Sequence, residues 1–325
     1  MQGPRVKEFE ESFAKFVGAD YAVAVTSCTT ALHLALLVLG IGPGDEVIVP
    51  SFSWVATANA VEFVGAKVKF VDVDETFNIN CDLIEAAITP KTRALFICNP
   101  NNPSGYVYSK EEIEALGSLA IKHNIFLIVD EVYREFIHEG KAHYSVMQNE
   151  AWSEHAIMID SVSKRYSMCG ARVGCIVSRN KELMKMALKF AHLRLSPPAY
   201  ALIASEAALD APSSYLEGVV AEYTHRRNVL IAALEKIPNL AVSHPMGAFY
   251  CMVKLPVEDA EDFSQFLLND FHDKHQTVML APATGFYSTP QIGKNEVRIA
   301  FVLGAEKLKR AAEILEKALQ VYNKS

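Results

Sequence analysis

A lysine, several serines and an arginine lie close together in the segment SVSKRYSMCGARVG, which follows the apolar run IMID. Lys164 could act as an amine nucleophile toward a carbonyl carbon. Ser161 and Arg172 suit a phosphate group, because a guanidinium binds phosphate in a bidentate geometry. For any single lysine, an ordinary basic surface loop is the more common situation. The combination of serine, lysine and arginine at this spacing favours a binding site.

Carboxylate and amide side chains follow two other apolar runs. The run IFLIV ends in DEVY, with Asp130 and Tyr133, and the run ALFIC ends in NPNNPSG, with Asn102. A carboxylate at the end of a buried strand needs a cationic or hydrogen-bonding partner. A helix cap or a structural ion pair would explain Asp130 equally well. A rigid turn would explain the asparagine segment.

Three further positions combine a structural with a functional interpretation. The run YAVAVT ends in SCTT, where Cys28 and Thr29 open a helix whose free N–H groups either hold an anion or are simply capped. Trp54 begins the helix after EVIV, and its ring either stacks on a flat ligand or belongs to the core. Arg298 interrupts the apolar strand EVRIAFV and needs an anionic partner, which is either a substrate carboxylate or a structural salt bridge.

Short apolar runs alternate with helical patterns through the first two thirds of the 325-residue chain. This alternation indicates an α/β fold with a largely parallel sheet that helices cover on both faces. A long helical stretch, broken near Pro212, precedes a smaller α+β part that includes the apolar run QTVML. We place a domain boundary in that stretch, which gives a large α/β domain over residues 1–215 and a small α+β domain over residues 216–325. Ligands of open α/β sheets bind at the carboxyl ends of the strands, so the strand-end side chains should converge.

Composition excludes several classes of protein. Hydrophobic residues make up 50% of the chain and charged residues 21%, with a net charge of −7, which is typical of a globular protein that does not bind nucleic acid. No apolar run reaches membrane-spanning length, and the amphipathic N-terminus is not a signal peptide. The 6 cysteines form no CxxC pair, which indicates reduced thiols in a cytoplasmic protein.

The strand-end residues together supply an amine nucleophile, a phosphate site, a buried carboxylate, donors directed at an oxygen and a stacking ring. This set matches a phosphorylated aromatic aldehyde with a ring nitrogen, a description that fits pyridoxal 5′-phosphate. The sequence therefore predicts a pyridoxal-phosphate site and no metal site.

From about residue 93 onward the chain resembles the class I, aspartate aminotransferase-like enzymes of the fold-type I pyridoxal-phosphate-dependent superfamily. The motifs are NPNNPSG, DEVYREF, SVSKRYSMCGARVG, PMGAFY and NEVRIAFV, in that order. The resemblance implies a homodimer that moves an amino group between an L-amino acid and a 2-oxo acid by a ping-pong mechanism. It implies these roles: Lys164 as the Schiff-base lysine, Asp130 as partner of the pyridinium nitrogen, Tyr133 and Asn102 as donors to the phenolic oxygen, Ser161 and Arg172 as phosphate ligands, and Arg298 as the ligand of the substrate carboxylate.

The part of the chain before that point resembles the DegT-type sugar aminotransferases more closely, through VTSCTTALHLALLVLGIGPGDEVIVPSFSWVATANAV. The two groups share a fold, so this resemblance places Cys28 and Thr29 at the phosphate and Trp54 on the ring. Cys28 stands where a glycine or another small residue is usual. Class I relatives carry several dozen residues before the point where this chain begins. The resemblance therefore implies that an arm that helps to close the active site is missing, with weaker turnover and dimerisation as the expectation.

Other functions stay open from the sequence. The same cofactor supports other reactions, such as β-elimination, and the DegT-like start suggests a nucleotide-sugar aminotransferase. A non-catalytic relative would keep the fold without the reaction. Arg194, in HLRLSPP, could bind a distal substrate carboxylate from the partner subunit or form a salt bridge between subunits.

Overall fold

The computed structural model describes residues 3–74, 79, 81–138, 140 and 142–324. The helices are α1 (Pro4–Val17), α2 (Cys28–Val38), α3 (Val55–Phe63), α4 (Cys81–Ala87), α5 (Lys110–His123), α6 (Val162–Arg165), α7 (Lys181–Arg194), α8 (Ala199–Leu209), α9 (Ser213–Leu234), α10 (Ala260–Asn269) and α11 (Ala305–Tyr322). The strands are β1 (Tyr21–Val25), β2 (Glu46–Pro50), β3 (Lys67–Val71), β4 (Thr92–Cys98), β5 (Phe126–Asp130), β6 (Ala156–Ser161), β7 (Gly174–Ser178), β8 (Ala241–Val242), β9 (Tyr250–Lys254), β10 (Ala281–Pro282) and β11 (Glu296–Ala300). Short 3₁₀ helices lie at Val146–Gln148, Glu150–His155, Cys169–Ala171 and Ala283–Phe286.

The larger sheet has seven strands in the order β1-β7-β6-β5-β4-β2-β3. Its pairs from β3 to β6 are parallel, and β7 runs antiparallel to both of its neighbours. Alternate residues of β5 enter different cores: Leu127 and Val129 pack with α1 and α5, whereas Ile128 packs with α2 and α7. Both faces of the sheet are therefore covered, and the predicted α/β fold with a largely parallel sheet is confirmed.

The smaller sheet is antiparallel, in the order β10-β11-β9-β8. Side chains from α9, α10 and α11 form its apolar core, among them Leu230, Phe263 and Leu315. This arrangement confirms the α+β character of the C-terminal part. The helical stretch before it is broken as predicted, because α8 ends at Leu209 and Pro212 caps α9. The boundary between residues 215 and 216 falls in the first turn of α9 and stays a prediction.

The apolar run QTVML does not form a strand. Pairing with β11 begins only at Ala281, opposite Arg298. The hydroxyl of Thr277 donates a hydrogen bond to the carbonyl of Leu267, at 2.6 Å, which holds this segment against α10.

Among the described residues, no helix is long and apolar enough to cross a membrane.

A test of the packing concerns Gly117, which lies inside α5 against the indole ring of Trp152. A Cβ atom at this position would overlap the ring. Trp152 is 3% exposed, and its Nε1 donates to the carbonyl of Val146 at 3.0 Å, so the ring has no room to move. Alanine gains about 1 kcal/mol in helix propensity, but overpacking costs about 1–3 kcal/mol. We expect Gly117→Ala to lower the free energy of unfolding by about 1 kcal/mol, measured by urea denaturation.

The matched control is Gly218→Ala inside α9, where a Cβ atom would meet nothing within 4 Å. There the propensity gain is unopposed, and the free energy of unfolding should rise by about 0.5–1 kcal/mol. Equal stabilisation by both substitutions would contradict the packing of α5 on Trp152.

Candidate active site

One cavity of about 380 Å³ lies beyond the carboxyl ends of the central strands. Every residue that the sequence predicts for the site lines it: Cys28, Thr29, Trp54, Asn102, Asp130, Tyr133, Ser161, Lys164, Arg172 and Arg298. These residues come from the parts of the chain that form both sheets. Those from the larger sheet lie here because ligands of an open α/β sheet bind at the carboxyl ends of its strands. Arg298 reaches the cavity from β11 of the smaller sheet.

Asp130 is the last residue of β5, and its carboxyl forms the floor of the cavity. Its Oδ1 accepts a hydrogen bond from the backbone N–H of Val132 at 3.1 Å. No cationic side chain of the described chain forms an ion pair with it. Burial raises the pKa of Asp130 to about 7, and the nearby carboxylates of Asp160 and Glu131 act in the same direction. A cation on a ligand would therefore be stabilised here.

Lys164 lies in the short helix α6, which Ser161 caps by accepting a hydrogen bond from the N–H of Ser163 at 3.0 Å. Its Nζ atom lies 6.0 Å from the ring centre of Tyr133 and 5.9 Å from that of Phe249. Within the described chain the amine makes no hydrogen bond and no ion pair. It is free to meet a ligand in the cavity.

Arg165, the next residue, faces away from the cavity and is buried. Its Nη2 contacts Asp160 Oδ2 at 2.6 Å and its Nε contacts Glu135 Oε1 at 3.0 Å. These buried ion pairs fix the turn that presents Lys164.

The start of α2 and the Ser161 loop form an anion cradle, which comprises Ser27, Cys28, Thr29, Ser161 and Arg172. As the first residues of α2, Cys28 and Thr29 carry N–H groups that have no acceptor within the helix. The guanidinium of Arg172 is exposed and pairs with no carboxylate in the described residues; its Nη1 donates to the carbonyl of Cys169 at 2.8 Å. Ser161 Oγ lies 2.8 Å from both the carbonyl of Val173 and Ser163 Oγ.

A glycine allows this cradle to close. A Cβ atom on Gly174, the first residue of β7, would lie 2.6 Å from the carbonyl carbon of Ser27 and 2.9 Å from the nitrogen of Cys28. Only glycine permits α2 to begin so near the sheet. Burial raises the pKa of the Cys28 thiol well above its ordinary value, so this side chain is neutral beside the cradle.

The guanidinium of Arg298 lines the cavity together with the rings of Trp54 and Tyr250, and a third ring, that of Phe286, also contacts it. The Nη1 atom of Arg298 donates to Asn102 Oδ1 at 2.8 Å. The Cζ atom of Arg298 lies 4.3 Å from the ring centre of Tyr250, 5.0 Å from that of Phe286 and 5.4 Å from that of Trp54. The Nε atom is buried and has no hydrogen-bond partner. No acidic side chain of the described chain pairs with this guanidinium, so the structural salt bridge considered from the sequence is not formed there.

Sequence reasoning missed several lining residues, of which Tyr250 matters most. Its hydroxyl lies 3.0 Å from the hydroxyl of Tyr133. A signal was present, because a tyrosine inside the apolar run FYCMV must find a hydrogen-bond partner when it is buried. Thr57 and Cys98 also line the cavity and carried no such signal. Arg194 does not line the cavity; its Nη2 lies 3.2 Å from His33 Nδ1.

Comparison with known proteins agrees with this geometry. The family "Aminotransferase class I and II" matches residues 2–315. The chain belongs to the class I and II aminotransferases. The aspartate aminotransferase of Bacillus subtilis (strain 168) is 29% identical, over 96% of this chain and 80% of its own length. Two solved structures are similar: the aromatic aminotransferase of Pyrococcus horikoshii OT3 (TM-score 0.88, 27% identity, 99% of this chain and 88% of that one) and the aspartate aminotransferase of Thermus thermophilus with maleate (TM-score 0.87, 28% identity, 98% and 84%).

As an aminotransferase of this family, the chain is a transaminase that depends on pyridoxal 5′-phosphate, as the sequence predicts. The family match begins at residue 2 and so includes the part that resembles the DegT type. The comparisons give no support to a separate DegT-like N-terminal part, since one family accounts for the whole matched range.

The described residues fit this cofactor. A carboxyl without a counter-ion suits a protonated ring nitrogen, a free amine suits a carbonyl, and the cradle with Arg172 suits a phosphate. The unpaired Nε of Arg298 is among the donors that are left for a carboxylate.

The raised pKa of Asp130 leads to a test on the protein without cofactor. Between its ordinary pKa near 3.9 and the folded value of about 7, the folded chain holds a proton that the unfolded chain has lost. Stability therefore falls as pH rises through this window. We expect the free energy of unfolding of the wild type, relative to Asp130→Asn, to decrease from pH 4 to pH 7 and then level off, measured by urea denaturation.

Taking the difference between the two proteins cancels the contribution of Glu10, another buried carboxyl, which is present in both and does not act on Asp130. A difference that stays constant with pH would show that Asp130 is not destabilised by burial.

Proposed function

We propose that this chain moves an amino group between an L-amino acid and a 2-oxo acid in the two half-reactions of a ping-pong cycle, with the 380 Å³ cavity as its active site. One observation carries the proposal: the amine of Lys164 shares this cavity with Asp130, a carboxyl that forms no ion pair in the described chain, and with Arg298, a guanidinium that has no acidic partner there. A cationic ring on one side and a substrate carboxylate on the other satisfy both charges.

The cradle and the floor hold the cofactor. Bound pyridoxal 5′-phosphate supplies a carbonyl group that receives the amino group and a ring that accepts electrons. Asp130 keeps a proton on the ring nitrogen, because a cation there removes the cost of the buried carboxylate. Tyr133 and Asn102 donate hydrogen bonds to the phenolic oxygen, and Trp54 packs against the ring.

The phosphate is bound by the anion cradle. The N–H groups of Cys28 and Thr29 and the partial positive charge at the start of α2 face it. Arg172 and the hydroxyl of Ser161 complete the contacts.

Arg298 binds the carboxylate of the amino acid through guanidinium N–H groups that have no partner among the described residues, of which Nε is one. The resulting ion pair fixes the Cα atom with respect to the cavity floor. Lys164 then moves a proton at Cα, acting first as base and then as acid. Its amine is suited to this task because no side chain of the described residues competes for it.

The other reactions considered from the sequence are not favoured. The three relatives described above are named for aspartate or for aromatic amino acids, and none of these three is named for a nucleotide sugar. The choice between these two substrate classes belongs to the experiment.

The holoenzyme should transfer the amino group of at least one amino acid to its cofactor, observed as a change in the cofactor absorbance when each amino acid is added singly. Borohydride reduction before this addition should fix the cofactor to the peptide that contains Lys164. Lys164→Ala should abolish both results, because no other lysine lines the cavity in the described chain.

Lys185→Ala is the control, since Lys185 is exposed and pairs with Glu182 at 2.6 Å. Label on another peptide, or unchanged transfer in Lys164→Ala, would refute the role of Lys164.

We also propose that the chain forms a homodimer through an apolar patch that comprises Phe63, Leu193, Leu195 and Tyr200. Leu193 is 81% exposed and Tyr200 is 78% exposed. His33 connects Phe63 with the rest of the patch. The ring centres of His33 and Phe63 are 6.0 Å apart, and His33 also contacts Arg194, the neighbour of Leu193 and Leu195 in the chain. Water-exposed apolar patches of this kind are typical of protein interfaces. His33 lies on α2, the helix that begins at the cavity, so this interface borders the active site.

Leu193→Glu should weaken the dimer, because it places a charge in the centre of an apolar interface. Sedimentation equilibrium measures the change as a rise in the dimer dissociation constant of at least about tenfold. Met279→Glu is the control, since Met279 is 82% exposed but lies outside this patch, in the irregular segment before β10. An equal effect of both substitutions, or none of Leu193→Glu, would contradict the assigned patch.

A cytoplasmic location is part of the same proposal. Cys98, Cys175 and Cys251 are buried and form no disulfide, a state that a reducing compartment maintains.

A further inference from the structure

Tyr250 contacts both ends of the active site. It is the first residue of β9, and Arg298 lies diagonally across the pair β9–β11, since Arg298 is opposite Met252. Alternate residues of a strand share a face, so the ring of Tyr250 and the guanidinium of Arg298 lie on the same side of the sheet. Its hydroxyl reaches the larger domain, where it lies 3.0 Å from the hydroxyl of Tyr133.

The ring of Tyr250 supports the guanidinium of Arg298. The 4.3 Å between Cζ and the ring centre is the shortest of the three aromatic contacts made by this arginine. A cation over an aromatic face in a desolvated place is strongly attracted. Together with the hydrogen bond to Asn102, this contact orients Arg298 with its Nε unpaired.

The two hydroxyls can exchange only one hydrogen bond, and its direction matters. Neither hydroxyl has another hydrogen-bond partner within the described chain, and both tyrosines are buried. If Tyr250 donates, the hydroxyl proton of Tyr133 is left for another acceptor, which in the proposed function is the phenolic oxygen of the cofactor. If Tyr133 donates to Tyr250, its proton cannot be donated to a ligand. The positive charge of Arg298 beside the ring of Tyr250 makes the hydroxyl of Tyr250 the better donor.

We propose that Tyr250 is a positioning residue that links the two ends of the site: its ring holds Arg298 for the substrate carboxylate, and its hydroxyl turns the proton of Tyr133 toward the cofactor. The inference rests on the proposed function, in which Arg298 binds the carboxylate and Tyr133 donates to the phenolic oxygen. It adds a coupling, because a carboxylate that neutralises Arg298 also changes the donor strength of Tyr250.

Two substitutions separate the two contacts. Tyr250→Phe keeps the ring and removes the hydroxyl, and Tyr250→Leu removes both. Tyr223→Phe is the matched control, since Tyr223 belongs to the same aromatic cluster, 5.5 Å from Phe249, and does not line the cavity. Each variant is prepared as holoenzyme and also combined with Tyr133→Phe.

The measurements are kcat and KM, and the absorbance of the bound cofactor as a function of pH without amino acid. Loss of one neutral hydrogen bond corresponds to about fivefold. We expect Tyr250→Phe to lower kcat about fivefold with little change in KM, and to move the spectroscopic midpoint upward by about half a pH unit. Tyr250→Leu should in addition raise KM about tenfold, because Arg298 loses its support.

In the Tyr133→Phe background, Tyr250→Phe should have no further effect on kcat or on the midpoint, because its hydroxyl acts through Tyr133. Effects that multiply in the double variant would overturn the proposal. So would a Tyr250→Phe holoenzyme that matches Tyr223→Phe in its pH titration. If Tyr133→Phe and Arg298→Lys are themselves without effect, the roles in the proposed function fail, and this inference falls with them.

Discussion

The carboxyl of Asp130, the amine of Lys164 and the guanidinium of Arg298 line a single cavity, yet within the described chain no ion pair joins any two of them. Opposite charges in a partly desolvated space attract strongly, so their separation has to be enforced by the surrounding structure. The fold does this by placing the groups on different elements: the end of β5, the turn at α6, and β11 of the other sheet. The backbone hydrogen bond to Asp130 and the ring beneath Arg298 hold the two ends apart.

The neighbouring Arg165 shows how the chain satisfies charge where reactivity is not wanted. Its guanidinium is 1% exposed and contacts both Asp160 and Glu135. Because removal of one partner from a buried pair costs about 3–5 kcal/mol, this cluster is a rigid anchor. The residue before it is thereby left with an unpaired side chain. Two consecutive basic residues thus have opposite tasks, one structural and one chemical.

The sequence predicts well which residues line the cavity, because most of them follow apolar runs. In a parallel sheet, the ends of such runs meet at one edge, so local patterns suffice to place Asp130, Asn102 and Ser161 together. Arg298 was also predictable from the sequence, since a charge inside an apolar strand needs a partner. The two interpretations of each position could not be separated, because the choice depends on which groups approach from distant parts of the chain.

The contacts that the sequence does not predict are those between distant segments. The approach of Gly174 to Ser27 and the bond between Tyr133 and Tyr250 join residues far apart in the chain. The run QTVML has the composition of a strand, but the hydroxyl of Thr277 and the late start of pairing at Ala281 decide otherwise. Such outcomes depend on packing, which periodicity does not report.

Unpaired charges in the cavity have a consequence for the stability of the whole chain. Asp130 and Arg298 are each less favourable in the folded protein than they would be with a partner, so the fold without ligand carries this cost. A ligand that supplies a cation on one side and an anion on the other removes the cost on binding and stabilises only the folded state. The affinity for cofactor and substrate thus comes in part from this unfavourable burial of charge, and replacing either group by a well-packed neutral residue would stabilise the chain while removing its chemistry.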